Sequence, residues 1–328
     1  MKRFWSLIWD YKKVRVGTIW RVLLFFLLYT NLMRAAQYIP LVPRQISVTV
    51  GILILLAGFS LLFDRRSMSD YGLFVDKHTL PDLLFGLIWG ALVVAGIVWL
   101  EKALGWVRMD FNPWTRFLDG DIGRAFWMAA LLFVTIGINE ELIYRGFLLR
   151  NFTEEFRFLR NPKHRIWASV VLAGLIFGYV HFDNPNATTL SGINLILYGF
   201  LFSVPFLLTG SLMIGIGVHI TWNLTMGTVW GLTLSGFPPF VSLMVTEQTG
   251  PAIWTGGDFG PEGGLICTLS LFVLLLGYLA WIKWTRGEVW VEGSFGIYRP
   301  VRLFALTMSE IREEREAMQN KEDDSNKM

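Results

Sequence analysis

The chain has 328 residues, is 53% hydrophobic and 15% aromatic, and has a mean hydropathy of +0.47. Apolar stretches of roughly 20 residues recur along most of its length, which excludes an ordinary soluble domain and identifies a polytopic membrane protein. Its net charge of +3 and pI near 9.0 come from basic loops rather than from a basic face with stacking aromatics, so nucleic acid is not an expected partner.

The first 15 residues are basic and lead into a full-length apolar span, the pattern of a retained signal anchor rather than a cleaved leader. Apolar windows predict spans at 18–36, 46–63, 82–100, 125–149, 166–182, 193–208, 211–232 and 264–284. The expected fold is therefore an all-α membrane protein, a bundle of about eight transmembrane helices. Lys2, Arg3, Lys12, Lys13 and Arg15 precede the first span; Arg65, Arg66 and Lys77 follow the second; Arg150, Arg157, Arg160, Lys163 and Arg165 follow the fourth. These ends, and both termini, are expected in the cytoplasm. Loops 183–192 and 235–263 carry no Lys or Arg, whereas loop 101–124 carries four, against the pattern.

Only Thr209 and Gly210 separate the sixth and seventh spans, which implies a tight helical hairpin, and the sixth span is the weakest. Cys267, the single cysteine, excludes an intramolecular disulfide and a cysteine-based metal cluster and is expected to fill space in the last helix. The tail from 309 to 328 is dense in charge with almost no apolar content, so a frayed or disordered segment is expected there. No internal repeat is apparent, which counts against inverted-repeat transporters.

Within the fourth span, Glu140 and Glu141 stand side by side in an apolar run. Carboxylates at membrane depth are costly and are functional by default. Glu141 and Arg145 are four apart with the acid first, the favourable order for an ion pair on one helix face. Glu140 is rotated from Glu141 by about 100°, which leaves it free to act as a base. Two of the four histidines, His181 and His219, lie in apolar spans, and each shares a face with a residue four away, Phe177 and Asn223 respectively. Counted at about 1.5 Å per residue, Glu140 lies roughly 15 Å from Arg150 and His219 roughly 14 Å from Gly210. His181 comes out deeper, about 24 Å from Arg165, unless its span enters the bilayer nearer Ser169 or tilts.

These groups suit the addition of water to a carbonyl, with a carboxylate as base and His or Asn as donors to the oxyanion. Alternatively, Glu140, His181 and His219 could hold a divalent metal such as zinc whose bound water attacks. HExxH and GxSxG are both absent, so metal-assisted and metal-free hydrolysis remain open.

Glu140-Glu141-x-x-x-Arg145, Phe177-x-x-x-His181 and His219-x-x-x-Asn223, in this order, resemble the type II CAAX prenyl endopeptidase and bacteriocin-processing (CPBP, or Abi) intramembrane proteases. The glycine-rich stretch from Trp254 to Gly264 also looks like a loop found before the last span of bacterial members. The resemblance spans about residues 82–284, a protease core, with two helices in 1–81 and a cytoplasmic charged tail in 285–328 outside it. It implies that Glu140 activates water together with His181, that His219 and Asn223 stabilise the oxyanion, and that Glu141 with Arg145 holds the site. It further implies a lipid bilayer and a membrane-associated peptide or protein as partners, in the cytoplasmic membrane of a bacterium. Two other classes compete: a proton-coupled transporter relaying protons through Glu140, His181 and His219, and a non-catalytic scaffold or self-immunity protein.

Overall fold

The computed structural model describes residues 9–10, 15–116, 120–291 and 295. Each expected span contains a helix, though the fifth stops at Tyr179, short of His181: α1 (Thr18–Ala36), α2 (Leu41–Phe59), α3 (Thr79–Ala103), α4 (Ile122–Glu140), α5 (Leu149–Glu155), α6 (Pro162–Tyr179), α7 (Thr189–Thr209), α8 (Met213–Asn223) and α9 (Leu265–Arg286). The fourth span contains both α4 and α5. Local sequence sets the starts: Asp121 caps α4, Asn161 followed by Pro162 opens α6, and Thr188 with Ser191 forms a capping box on α7.

Six helical runs are long and apolar enough to cross a membrane: Thr18–Ala36, Arg44–Asp64, Thr79–Ala103, Ile122–Phe158, Thr189–Thr209 and Leu265–Arg286. The sixth span, weakest by sequence, is among them. The two that fall short are the fifth and seventh, α6 and α8, which carry the motif histidines. Lys163, His164 and Arg165 occupy the first turn of α6, and α8 has 11 residues, nearly all buried against neighbouring helices rather than exposed to lipid.

The chain is mostly helical but not wholly so. β1 (Val107–Thr115) pairs antiparallel with β2 (Val241–Gln248), Val107 opposite Gln248 and Thr115 opposite Val241. The register shifts between Phe111 and Trp114, around Pro113, which has no N–H to give to the ladder. Both strands lie in segments between membrane spans, where a search for apolar runs does not look. The pairing also puts loop 101–124, whose basic residues broke the charge pattern, on the same side as the uncharged-basic loop 235–263.

Glycine allows the motif helices to approach their neighbours closely. A Cβ at Gly86 of α3 would lie 2.4 Å from the Ile214 carbonyl of α8, and one at Gly217 would lie 2.5 Å from the Leu83 carbonyl. A Cβ at Gly199 of α7 would come within 2.7 Å of Gly174 Cα on α6. Such small-residue seams let helices associate in lipid, where no hydrophobic force drives them together. The hairpin between α7 and α8 turns on Gly210 at φ 71°, yet α8 packs chiefly on α3 rather than on α7.

α1 and α2 share a core with the fourth span: the Phe25 ring stacks on Phe147 at 4.2 Å and meets Phe59 edge-on at 5.4 Å. A buried polar cluster joins the same helices, with Arg21 paired to Asp64 and Glu154, and Arg66 paired to Glu154. The charged tail expected beyond residue 309 lies outside the described residues, as does most of the basic lead.

Candidate active site

The fourth span changes from α to π at Glu141 and stays so through Leu148. The change falls between the two acids. A second π turn, Leu224–Val229, begins immediately after Asn223. Widened turns of this kind are common where a helix presents side chains to a functional site.

Glu141 and Arg145 are paired as expected, Arg145 Nη1 donating to Glu141 Oε1 at 2.9 Å, with the side chains 0% and 1% exposed. The guanidinium also lies 4.6 Å from the Phe177 ring centroid and 5.5 Å from that of Phe202, where aromatic faces favour the cation. Gly215 of α8 makes room for Glu141: a Cβ there would stand 2.9 Å from Glu141 Oε2.

Glu140 points elsewhere. Its side chain is 28% exposed and lines a cavity of about 600 Å³. His181, His219 and Asn223 line the same cavity, so four of the six expected residues converge there while Glu141 and Arg145 stand behind the wall. His219 bridges the two acids: Nδ1 is 3.0 Å from Glu141 Oε1 and Nε2 is 3.6 Å from Glu140 Oε2. An ionised Glu141 can only accept, so Nδ1 carries the proton and Nε2 is the nitrogen turned to Glu140. Sequence spacing had not linked His219 to either acid.

His181 does not sit within a helix. α6 ends at Tyr179, and His181 lies on the following turn, half-buried, with Nδ1 donating to the Phe177 carbonyl at 2.7 Å. That bond fixes the tautomer and leaves the Nε2 lone pair unused. Asn184, on the same turn, donates to the Ser235 carbonyl at 2.9 Å and ties it to the cavity wall. His181 nonetheless lines the same cavity as Glu140, despite the greater depth counted for it. Asn223 ends α8, is 8% exposed, and keeps its amide free of protein hydrogen bonds.

The rest of the wall was not legible from the motifs. Phe26, Tyr29 and Thr30 come from α1; Leu132, Phe133 and Ile136 from α4; and Leu234 to Phe240 from the segment before β2. The Phe240 carbonyl accepts from Arg116 N at 2.8 Å and Thr115 Oγ1 at 3.2 Å, so the end of β1 holds that wall in place. Tyr29 and Tyr144 both lie within electrostatic reach of Glu140. Glu262 also lines the cavity, in a glycine-rich stretch whose sequence signals a turn but not a buried acid.

A catalytic zinc needs three protein ligands. Among the described residues no group of three or more His, Cys, Asp or Glu side chains is gathered closely enough to hold a metal ion. Glu140 Oε2 and His219 Nε2 approach to 3.6 Å, with Glu141 on the other ring nitrogen, but among the described residues no third His, Cys, Asp or Glu side chain stands close enough to complete a three-ligand set.

Residues 122–225 match the family described as Type II CAAX prenyl endopeptidase Rce1-like. The chain is 28% identical over 169 residues to "Uncharacterized protein YyaK" of Bacillus subtilis (strain 168), covering 48% of this chain and 49% of that protein. It is 26% identical over 141 residues to an "Uncharacterized 24.3 kDa protein" of Escherichia coli, covering 43% of this chain and 60% of that one. The chain thus spans about half the length of the curated relatives it matches. No solved structure matches it significantly. The matched segment begins at the start of α4 and ends two residues after Asn223, so it contains all three motifs. With six helices long and apolar enough to cross a bilayer, the chain is an integral membrane protein whose residues 122–225 are similar to the family described as Type II CAAX prenyl endopeptidase Rce1-like.

Proposed function

We infer that the protein is an intramembrane endopeptidase that hydrolyses a peptide bond of a membrane-associated peptide or protein. The observation that carries this is the convergence of Glu140, His181, His219 and Asn223 on one largely apolar cavity. All eight spans enter the bilayer in this reading, with both termini in the cytoplasm of a bacterium.

Water is held between the Glu140 carboxylate and the free Nε2 of His181. As its oxygen attacks the scissile carbonyl carbon, Glu140 takes the proton. The resulting oxyanion accepts hydrogen bonds from the Asn223 amide and from His219 Nε2 when that nitrogen carries a proton. Glu141 anchors the other side of the His219 ring, and Arg145 neutralises Glu141. The C–N bond breaks as Glu140 returns its proton to the departing amine. The apolar walls supplied by α1 and α4 suit a substrate already resident in the membrane.

The test compares new N-termini in membranes of cells producing either the wild type or Glu140→Gln, a substitution that keeps shape and removes the base. Wild-type-dependent termini should fall by about 10²–10⁴-fold in the variant, the usual contribution of a general base. Equal cleavage by a folded Glu140→Gln protein overturns the assignment.

A further inference from the structure

The proposed chemistry leaves one carboxylate of the cavity unused. Glu262 lies in the short helix Pro261–Gly263 before α9 and is 3% exposed. Its Oε1 accepts from Trp222 Nε1 at 2.9 Å, and its Oε2 accepts from Ser235 Oγ. Its backbone carbonyl accepts from Asn194 Nδ2 at 2.9 Å, which fixes the segment on α7. Both side-chain partners are neutral, and among the described residues no Lys, Arg or His pairs with the carboxylate. A buried carboxylate without a counter-charge is costly, and in a membrane protein it marks a site whose partner should be sought. Each oxygen keeps a further lone pair.

The surroundings narrow the choice of partner. The cavity wall includes Glu140 and Glu262 but no Lys or Arg. Tyr198 lines the same cavity within electrostatic reach of Glu262; it is 3% exposed, and its hydroxyl has no hydrogen-bond partner. Its ring cannot swing away, since it stacks on Phe202 at 3.9 Å and meets His219 and Trp222 edge-on at 5.8 and 5.7 Å. Asn223, on the proposed oxyanion side, lines the same cavity as Glu262.

We propose that Glu262 and Tyr198 form a subsite for a cationic side chain of the substrate, a lysine or arginine close to the scissile bond. The cation donates N–H bonds to the remaining lone pairs of Glu262 and to the Tyr198 oxygen. Its position relative to the cleaved bond rests on the endopeptidase reading; its ability to bind a cation does not.

Binding is therefore measured separately from cleavage. The full-length protein in a neutral maltoside detergent is titrated with dansylcadaverine, a primary ammonium on an apolar stem, and with its N-acetylated, uncharged derivative. The wild type should bind the ammonium at least tenfold more tightly than the acetylated form. Glu262→Gln should erase that preference, Glu262→Asp should retain part of it, and Tyr198→Phe should reduce it. In Glu140→Gln the preference should persist, which separates the two acids. Equal affinity of the wild type for both probes, or an undiminished preference in Glu262→Gln, overturns the proposal, and the wild-type comparison holds whether or not a variant folds.

The N-terminal comparison supplies the second arm. Cleavage that depends on Glu140 but shows no enrichment of Lys or Arg beside the cut overturns the subsite as a substrate determinant while the endopeptidase reading survives. Ammonium binding that depends on Glu262, without cleavage that depends on Glu140, retains the cation site and overturns the protease.

Discussion

A single oxygen links three of the motif residues. Glu141 Oε1 accepts from Arg145 and from His219, so the position of one carboxylate sets the ring that faces Glu140. Gly215 leaves room beside the other oxygen, Oε2. In Gly215→Ala the new Cβ would press on Oε2 from 2.9 Å, and Glu141 could yield only by loosening Arg145 or His219. A displacement near 1 Å costs about 10²-fold in rate, so this variant should fold with near-normal thermal stability and lose about that much turnover. Normal turnover would show that the His219 ring is held by something other than Glu141. The separate directions of Glu140 and Glu141 were legible because adjacent helical residues face different ways, whatever the tertiary fold. The link from Glu141 to His219 was not, because it depends on how closely α8 approaches the fourth span, and neither was Glu262, which reaches the cavity from a loop.

The N-terminal helix enters the site through the buried charge cluster at one end of α1. Asp64 accepts from Arg21, from Tyr71 and from Asn151 Nδ2 at 2.9 Å. Burial first, and the neighbouring Asp64 carboxylate second, push the Tyr71 phenol well above its ordinary range, so it remains a donor. Asp64→Ala would leave Arg21 with Glu154 alone in a buried setting. Breaking a buried pair in this way costs about 3–5 kcal/mol, and the thermal midpoint should fall sharply, whereas Asp76→Ala at an exposed loop should leave it nearly unchanged. Equal midpoints would mean that the cluster does not hold α1. The helices themselves were easy to read, since apolar runs near membrane length have few alternatives. The π turns were hidden because a widened turn uses the same residue types as an α turn, and the strands were hidden because they lie between the spans.

Across the molecule, the cavity draws its walls from α1, α4, α6, α7, α8 and the segment before β2. Its outer wall, Leu234 to Phe240, belongs to the loop without Lys or Arg and leads into β2. On the proposed topology, with both termini in the cytoplasm, that wall is expected to face away from the cytoplasm. A membrane-impermeant maleimide added to intact cells should therefore label Phe237→Cys, whose position is 54% exposed, while buried Cys267 stays unlabelled. Labelling confined to inverted vesicles would reverse the orientation. Charge counting argues for that topology with one discordant loop, 101–124. Strand pairing accounts for the discordance, because β1 is held to β2 by backbone hydrogen bonds whatever basic residues flank it.

That same pairing imposes an order in time. β1 leaves the ribosome before any of the three motifs, and β2 follows all of them. Until β2 emerges, β1 lacks its partner, Phe240 has no anchor at Arg116 and Thr115, and the cavity has no outer wall. Contacts between such distant segments form late because a long loop must close first. Synthesis and insertion therefore deliver Glu140, His181, His219 and Asn223 into an unfinished chamber, whose wall is completed only as the last span is being made.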